Sequence, residues 1–454
     1  MKINSIKFGG TSMGSASSIM TCAQIVKEKL QKQKVVVTVS AVSGVTDTLF
    51  EIISLAKKQK PRLIIIKVSE LEKKHKQILY GIIDNDELAE DIWMQDFDAL
   101  LKKLKAISSG ISLVGDLTEK TTARICAFGE KLSSYLMKHA LSKLGIESER
   151  VESEKVVRTD SNFLSAGVLF SSTYSACRNT LNPLITQNIT PIVTGFIGKD
   201  THGNTTLLGR GGSDYTASIL AMALKAEAIE IWTDVNGIMS GDPRIVQNAI
   251  SWNELDVDLM SEMAYSGAKV VHPATITLAI QKNIPVYVFN TFDRKFAGTK
   301  VTNKPSKRER GVVASADNIL IILEHPSIID HVGFISKVTT IVAKHDISID
   351  VCTTSEISFT FSIKEQKYSK KLHKELQDVA KVILIKKVTK VCVIGHKITQ
   401  NYKLMSDIFL ISAENNIPIH AISTSAAYNN ITLIINNADK NKMVKLLHNK
   451  LLES

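Results

Sequence analysis

The chain has only five cysteines (Cys22, Cys126, Cys177, Cys352 and Cys392), scattered and without a C-x-x-C pair, which excludes a disulfide framework and a cysteine-based metal site. They read as reduced, mostly buried thiols of a cytosolic protein. The N-terminus has no signal-peptide core, and the longest apolar runs, such as residues 63–66, fall far short of the ~20 residues that a membrane span needs. A cytoplasmic protein without a membrane partner is expected. No grouping of serine, histidine and aspartate marks a nucleophilic triad, and no histidine cluster offers metal ligands. A Walker loop is missing too, because the lysine of the N-terminal glycine motif precedes its glycines instead of following them.

What remains is an ordinary globular composition: 454 residues, 44% hydrophobic and 22% charged, enough for two or three domains with ample core. The formal charge of +11 is spread out rather than concentrated. The densest basic stretch, residues 364–374, is interrupted by Glu365 and reads as the polar face of a solvated helix, so nucleic acid is not an expected partner.

Residues 1–300 alternate short β-branched runs (35–39, 191–195, 228–233 and 285–290) with amphipathic segments, the layout of an α/β domain with a mostly parallel, covered sheet. Residues 80–110 are charged and poor in β-branched residues, which suggests a helical excursion. A polar, basic connector at residues 303–310 then marks a domain boundary. Beyond it two related units follow, since Ile347, Ile349, Thr354 and Ser355 match Ile417, Ile419, Thr424 and Ser425 at a constant offset of 70 residues. Each unit places a helix (333–345; 402–415) before a strand that ends in Thr-Ser, as in a small ligand-sensing ββαβ sandwich.

Three polar elements carry the chemistry. Lys7-Phe8-Gly9-Gly10-Thr11-Ser12 follows the first apolar strand, and its two glycines allow backbone N–H groups to face an anion ahead of a helix at 15–30. Leu208-Gly209-Arg210-Gly211-Gly212-Ser213-Asp214 opens a helix over 215–224; Ser213 or Asp214 alone would read as an N-cap, but capping does not explain Arg210. An arginine between glycines suits a two-point grip on a carboxylate. The third element, Trp232-Thr233-Asp234 through Met239, Asp242 and Arg244, follows a strand end, where open α/β sheets bind ligands. Lys269, within Gly267-Ala-Lys-Val-Val-His-Pro273, precedes another apolar stretch.

Taken together these strings resemble the aspartokinases of the amino-acid kinase family. KFGGTS, SAVSGVTD (40–47), FGEKLSS (128–134), GRGGSDYTA (209–217), WTDVNGIMSGDPR (232–244) and GAKVVHP (267–273) occur in the family's order, and the paired C-terminal units look like its two ACT domains. The resemblance implies a three-layer amino-acid kinase fold over 1–300 with a mainly parallel central sheet. It also implies two ferredoxin-like α+β ACT domains, at 301–386 (including the linker) and 387–454. It further implies ATP-dependent phosphorylation of the side-chain carboxylate of L-aspartate, the first step toward lysine and diaminopimelate, threonine and methionine. A carboxylate with a reference pKa of ~3.9 is already ionised at neutral pH, so this nucleophile needs charge cancellation rather than a base.

Carried over by resemblance, Lys7 and Asp214 are the catalytic pair, and Gly9, Gly10 and Thr11 line the phosphate cradle. Thr46, Glu130, Arg210 and Ser213 hold aspartate, with Glu130 meeting its ammonium and Arg210 a carboxylate. Thr233, Asp234, Met239, Arg244 and Lys269 face ATP, whose Mg2+ arrives with the nucleotide and needs no protein metal site. Met239 stands where relatives often carry tyrosine, which replaces an aromatic contact with a thioether.

Two other readings differ from this one in what the sequence would carry. A kinase acting on acetylglutamate or on the glutamate side chain would lack GRGGSDYTA and the paired repeats; a sensor with a dead kinase domain would lose Lys7, Arg210 or Asp214, and all three are present. No G-x-G-x-x-G unit follows the repeats, so a monofunctional enzyme is expected. The first repeat resembles the lysine-sensitive branch, which implies an L-lysine effector site around Ile328, His331, Gly333, Phe334, Ile335, Ser348, Ile349, Asp350, Ser355 and Glu356. The second repeat has His420 in place of Asp350. A homodimer or dimer of dimers is expected, because ACT modules usually pair through edge strands.

Overall fold

A computed structural model describes residues 2–268, 271, 273–305, 309–325, 332–425 and 429–453. The chain divides into two compact units, one of residues 1–238 and 270–304, the other of residues 239–269 and 305–454.

In the first unit the strands run in the order Ser148–Val151, Thr190–Thr194, Lys34–Val39, Ile3–Phe8, Ala228–Thr233, Val286–Asn290 and Thr299–Thr302. All neighbours are parallel except the last pair. The central strands are buried on both faces, Val35, Val36, Val37 and Val39 among them, as a helix-covered parallel sheet requires. Helix Ala16–Leu30 begins where the Ser15 side chain accepts the Ser18 N–H, and it turns Ile19, Cys22, Ala23 and Val26 inward at helical spacing. The expected excursion consists of Pro61–Ile82, Asp86–Ile92, a π-turn at Trp93–Phe97 and Asp98–Val114. Trp93 and Phe97 stack at 5.0 Å within it.

The second unit is built on one antiparallel sheet in the order Val351–Thr354, Ser358–Lys364, Arg310–Glu324, Lys381–Gly395, Asn430–Asn436 and Ile419–Thr424. The repeat is visible in its backbone: Asp317 (φ 60°) and Asp346 (φ 52°) enter the left-handed region, and so do Lys387 (φ 57°) and Asn416 (φ 53°), 70 residues later. Its two long strands cross from one repeat to the other, so the division expected at residues 386/387 falls inside the strand Lys381–Gly395. Residues 239–269, expected in the catalytic domain, pack with this unit instead. The reason is apolar burial: Val246 shares a core with Val312, Val391, Met443, Val444 and Leu447. Of the basic stretch at 364–374, Glu365–Lys367 forms a single 3-10 turn and the α-helix begins only after Ser369, in Lys370–Gln377.

Cys22, Cys126, Cys177 and Cys392 are buried and Cys352 is exposed. Among the described residues no helix is long and apolar enough to cross a membrane.

Candidate active site

Lys7 is the penultimate residue of the central strand, which stays in register with its neighbour to Phe8 opposite Trp232. The ladder continues one residue further, where the Gly9 N–H donates to the Trp232 carbonyl at 3.0 Å. The Gly9 N–H is therefore committed to the sheet and is not available to a phosphate oxygen. Among the described residues the N–H groups of Gly10, Thr11 and Ser12 donate to no protein group. Successive free N–H donors of this kind can receive an anion, and Gly10 and Thr11 line the cavity described below. The Ser12 hydroxyl, 2.7 Å from that of Thr291, anchors the turn from behind.

The second glycine loop has the geometry its composition demanded. Gly209 (φ 76°) and Gly211 (φ 72°) both adopt the left-handed conformation on either side of Arg210. The helix starts at Gly212, earlier than expected, with Gly211 at the N-cap position, so Ser213 and Asp214 lie in its first turn and do not cap it. This turn aims Asp214 at Lys7: Oδ1 and Nζ are 2.6 Å apart, with side chains 9% and 12% exposed. The contact is one of charge, because Oδ1 receives no aligned hydrogen bond.

Lys7 and Asp214 face a cavity of about 650 Å³ that also exposes Gly10, Thr11, Thr46, Glu130, Arg210 and Ser213. All four residues expected to hold aspartate thus line one space with Lys7 and Asp214. Glu130 enters from the first turn of helix Phe128–Lys143, is 5% exposed and accepts the Ala41 N–H at 3.2 Å. Burial pushes its pKa up to about 8. Phe196 also lines the cavity and was not singled out from the sequence. Its backbone sits at φ 70°, with its N–H held by Thr216 Oγ1 at 3.0 Å, a conformation that bulky residues adopt only where the surroundings impose it. Nothing local in the sequence signals that strain.

The residues expected at the nucleotide belong to both units. Thr233 and Asp234 lie at the carboxyl end of strand Ala228–Thr233, outside the cavity lining, and the Thr233 hydroxyl donates to Asp234 at 3.2 Å. That strand is fixed by a buried polar network absent from the sequence reading, in which Glu230 accepts from Lys29 (2.7 Å), Asn4 (2.9 Å) and Trp232 Nε1 (3.2 Å). Met239 and Arg244 belong to the second unit, where Arg244 grips the Asp242 carboxylate through Nε (3.0 Å) and Nη2 (2.7 Å). Lys269 lies outside the described residues.

Of the effector residues, Ile328 and His331 also lie outside the described residues. Gly333 (φ 89°) is the N-cap of helix Phe334–Lys344, with nothing within 4 Å of where a Cβ would stand. Ile335 is exposed, and the Phe334 side chain turns into the core beside Val338. Ser348 and Glu356 are exposed and Ile349 is half-buried against the core. Ser355 holds the Ser358 hydroxyl at 2.6 Å in a local turn. Asp350 is exposed, and the buried ammonium of Lys390 stands 4.0 Å from its carboxylate.

The sequence model of the amino acid kinase family matches residues 3–290, and that of the ACT domain matches residues 391–451. Over 98% of both chains the sequence is 30% identical to the lysine-sensitive aspartokinase 3 of Escherichia coli (strain K12). The chain belongs to the aspartokinases, within the amino acid kinase family. Other aspartokinases are similar as well, including the chloroplastic aspartokinase 3 of Arabidopsis thaliana, 27% identical over 99% of this chain and 81% of that protein. Among solved structures, E. coli aspartokinase III in complex with aspartate and ADP (R-state) superposes with a TM-score of 0.85 over the full length of both chains at 28% identity. The same protein with lysine and aspartate (T-state) gives 0.82 over 99% of both.

Proposed function

We propose that this aspartokinase transfers the γ-phosphoryl group of ATP to the side-chain carboxylate of L-aspartate, giving 4-phospho-L-aspartate and ADP. A carboxylate oxygen forms the new P–O bond as the bond to the β-phosphate oxygen breaks, and no proton moves. The observation that carries this reading is the single cavity that unites the Lys7–Asp214 pair, the free N–H groups after Gly9, and two groups complementary to an amino acid, Glu130 and Arg210. Lys7 offsets the charge of two anions brought together, and the N–H groups of Gly10 and Thr11 receive phosphate oxygens. Arg210 grips a carboxylate, Glu130 meets the ammonium, and Ser213 and Thr46 complete the aspartate site.

Thr233, Asp234, Met239, Arg244 and Lys269 are assigned to ATP. Among the described residues no group of three or more His, Cys, Asp or Glu side chains could hold a metal. The donor set at the cavity fits a Mg2+ ion brought by the nucleotide, with Asp214 as the carboxylate nearest the cradle. The ion would supply further charge neutralisation on the phosphates.

Catalysis is assigned to residues 1–300 and regulation to the two ACT domains, with L-lysine as the effector at the first repeat. The similar E. coli protein is named for lysine sensitivity and has been solved with lysine, which supports that choice. The reaction would open the routes from aspartate to lysine and diaminopimelate, threonine and methionine. Val351–Thr354 and Ile419–Thr424 are the edge strands of the regulatory sheet, which supports assembly of a homodimer or dimer of dimers.

Acceptor choice tests the proposal. ADP release in a coupled assay should be rapid with L-aspartate and near background with L-glutamate and N-acetylglutamate; equal rates with any of these would overturn it.

A further inference from the structure

From Met239 onward the segment that follows strand Ala228–Thr233 is anchored within the second unit, and several of its anchors reach the C-terminal helix Lys440–Glu453. Ser240, 1% exposed, places its hydroxyl 2.8 Å from Nε2 of His448, which is also 1% exposed. The same hydroxyl accepts the Ile250 N–H at 2.9 Å, and the Ser240 carbonyl accepts the Val312 N–H at 2.8 Å. Gly241 lies flat against the imidazole: a Cβ there would come within 3.2 Å of His448 Cδ2. Val246 then enters the core formed by Met443, Val444 and Leu447 from the inner face of that helix. Asp242, whose pKa is lowered mainly by its grip on Arg244, also feels the charge of Lys440 at the start of the helix.

An apolar side chain at position 448 would fill this space as well as an imidazole does. What histidine adds is direction. A buried polar group is costly unless its hydrogen bond is made, so the Ser240–His448 contact is a tether that tolerates little displacement. Burial lowers the His448 pKa, which keeps the ring neutral, and its Nδ1 has no partner among the described residues.

We propose that His448 is a positioning residue for the nucleotide loop: through Ser240 and Gly241 it aims Arg244, so that the C-terminal helix sets the affinity for ATP. This rests on the reading above that Arg244 faces the nucleotide. Apolar packing supplies the bulk of the loop's stability and the tether supplies its register.

Initial-rate kinetics of the full-length protein, with ATP and aspartate varied independently, test the proposal in His448→Leu, His448→Gln, Ser240→Ala and Arg244→Ala. Loss of one buried hydrogen bond is expected to raise KM for ATP roughly tenfold in His448→Leu. KM for aspartate and kcat should stay within about twofold, which a general loss of structure would not allow. Ser240→Ala, which deletes only a hydroxyl, should give the same change, and the double variant should add nothing to either alone. Glutamine, which retains a donor, should recover part of the loss. An unchanged KM for ATP in both His448→Leu and Ser240→Ala, with a raised KM in Arg244→Ala, would overturn the inference while leaving the nucleotide role of the loop intact. An unchanged KM in Arg244→Ala would remove that role and the inference with it.

Discussion

Lys7 and Asp214 meet at 2.6 Å across the floor of the cavity, each almost sealed from solvent. Removing the cation strips the transition state of its main charge offset and leaves a carboxylate buried alone. Lys7→Ala is therefore expected to lower kcat by about 10³-fold or more. It should also cost up to about 3 kcal/mol of stability while unfolding stays cooperative. Steady-state rates and urea unfolding measure both, and near-normal turnover would remove Lys7 from the mechanism.

Arg210→Lys separates charge from shape. The left-handed glycines at 209 and 211 hold a planar fork, and an ammonium keeps the charge without the two-point grip. KM for aspartate should rise about tenfold or more, with KM for ATP little changed. A rise confined to ATP would reassign the residue.

The features legible in the sequence were those fixed by local chemistry. The glycine-rich string 208–214 marked the start of a helix, the repeat announced itself by its 70-residue offset, and the β-branched runs at 35–39 and 228–233 marked buried parallel strands. The rest depended on partners distant in sequence. The pattern around Val246 shows that it is buried but not that Val444 and Leu447 bury it, which is why the packing of residues 239–269 with the second unit was not legible. The commitment of Gly9 to Trp232, the left-handed Phe196 and the approach of Lys390 to Asp350 are likewise tertiary.

Glu130 predicts a pH dependence. Burial raises its folded-state pKa to about 8, so the free protein holds a neutral carboxyl at pH 7. The ionised form is the costly one: no penalty exists below about pH 4, where folded and unfolded chains are both protonated, and the penalty grows as pH rises to about 8. Glu130→Gln should therefore match the wild type in stability at low pH and exceed it near pH 8. Arrival of the aspartate ammonium favours ionisation, so binding should release up to one proton at neutral pH, and KM for aspartate should fall as pH rises from about 6 to 8. Calorimetry in buffers of different ionisation enthalpy reads the proton directly; proton uptake would contradict the assignment.

Asp350 already has an internal cation in Lys390. If the effector ammonium takes the place of that lysine, Lys390→Met should increase the potency of L-lysine as an inhibitor by about tenfold, and Asp350→Ala should abolish inhibition. Inhibition also needs lysine to favour one arrangement over another, so binding is measured alongside rate. Equal lysine affinity in wild type and Asp350→Ala would discard the site.

The identity and position of the phosphorylated carboxylate are decided by trapping. Incubation with ATP, L-aspartate and hydroxylamine, followed by mass spectrometry of the hydroxamate, should yield the β-hydroxamate of aspartate in amounts matching ADP formed, and none when aspartate or ATP is omitted. ADP formation without that product, or a hydroxamate at the α-carboxylate, would contradict phosphoryl transfer to the aspartate side chain at the Lys7–Asp214 cavity.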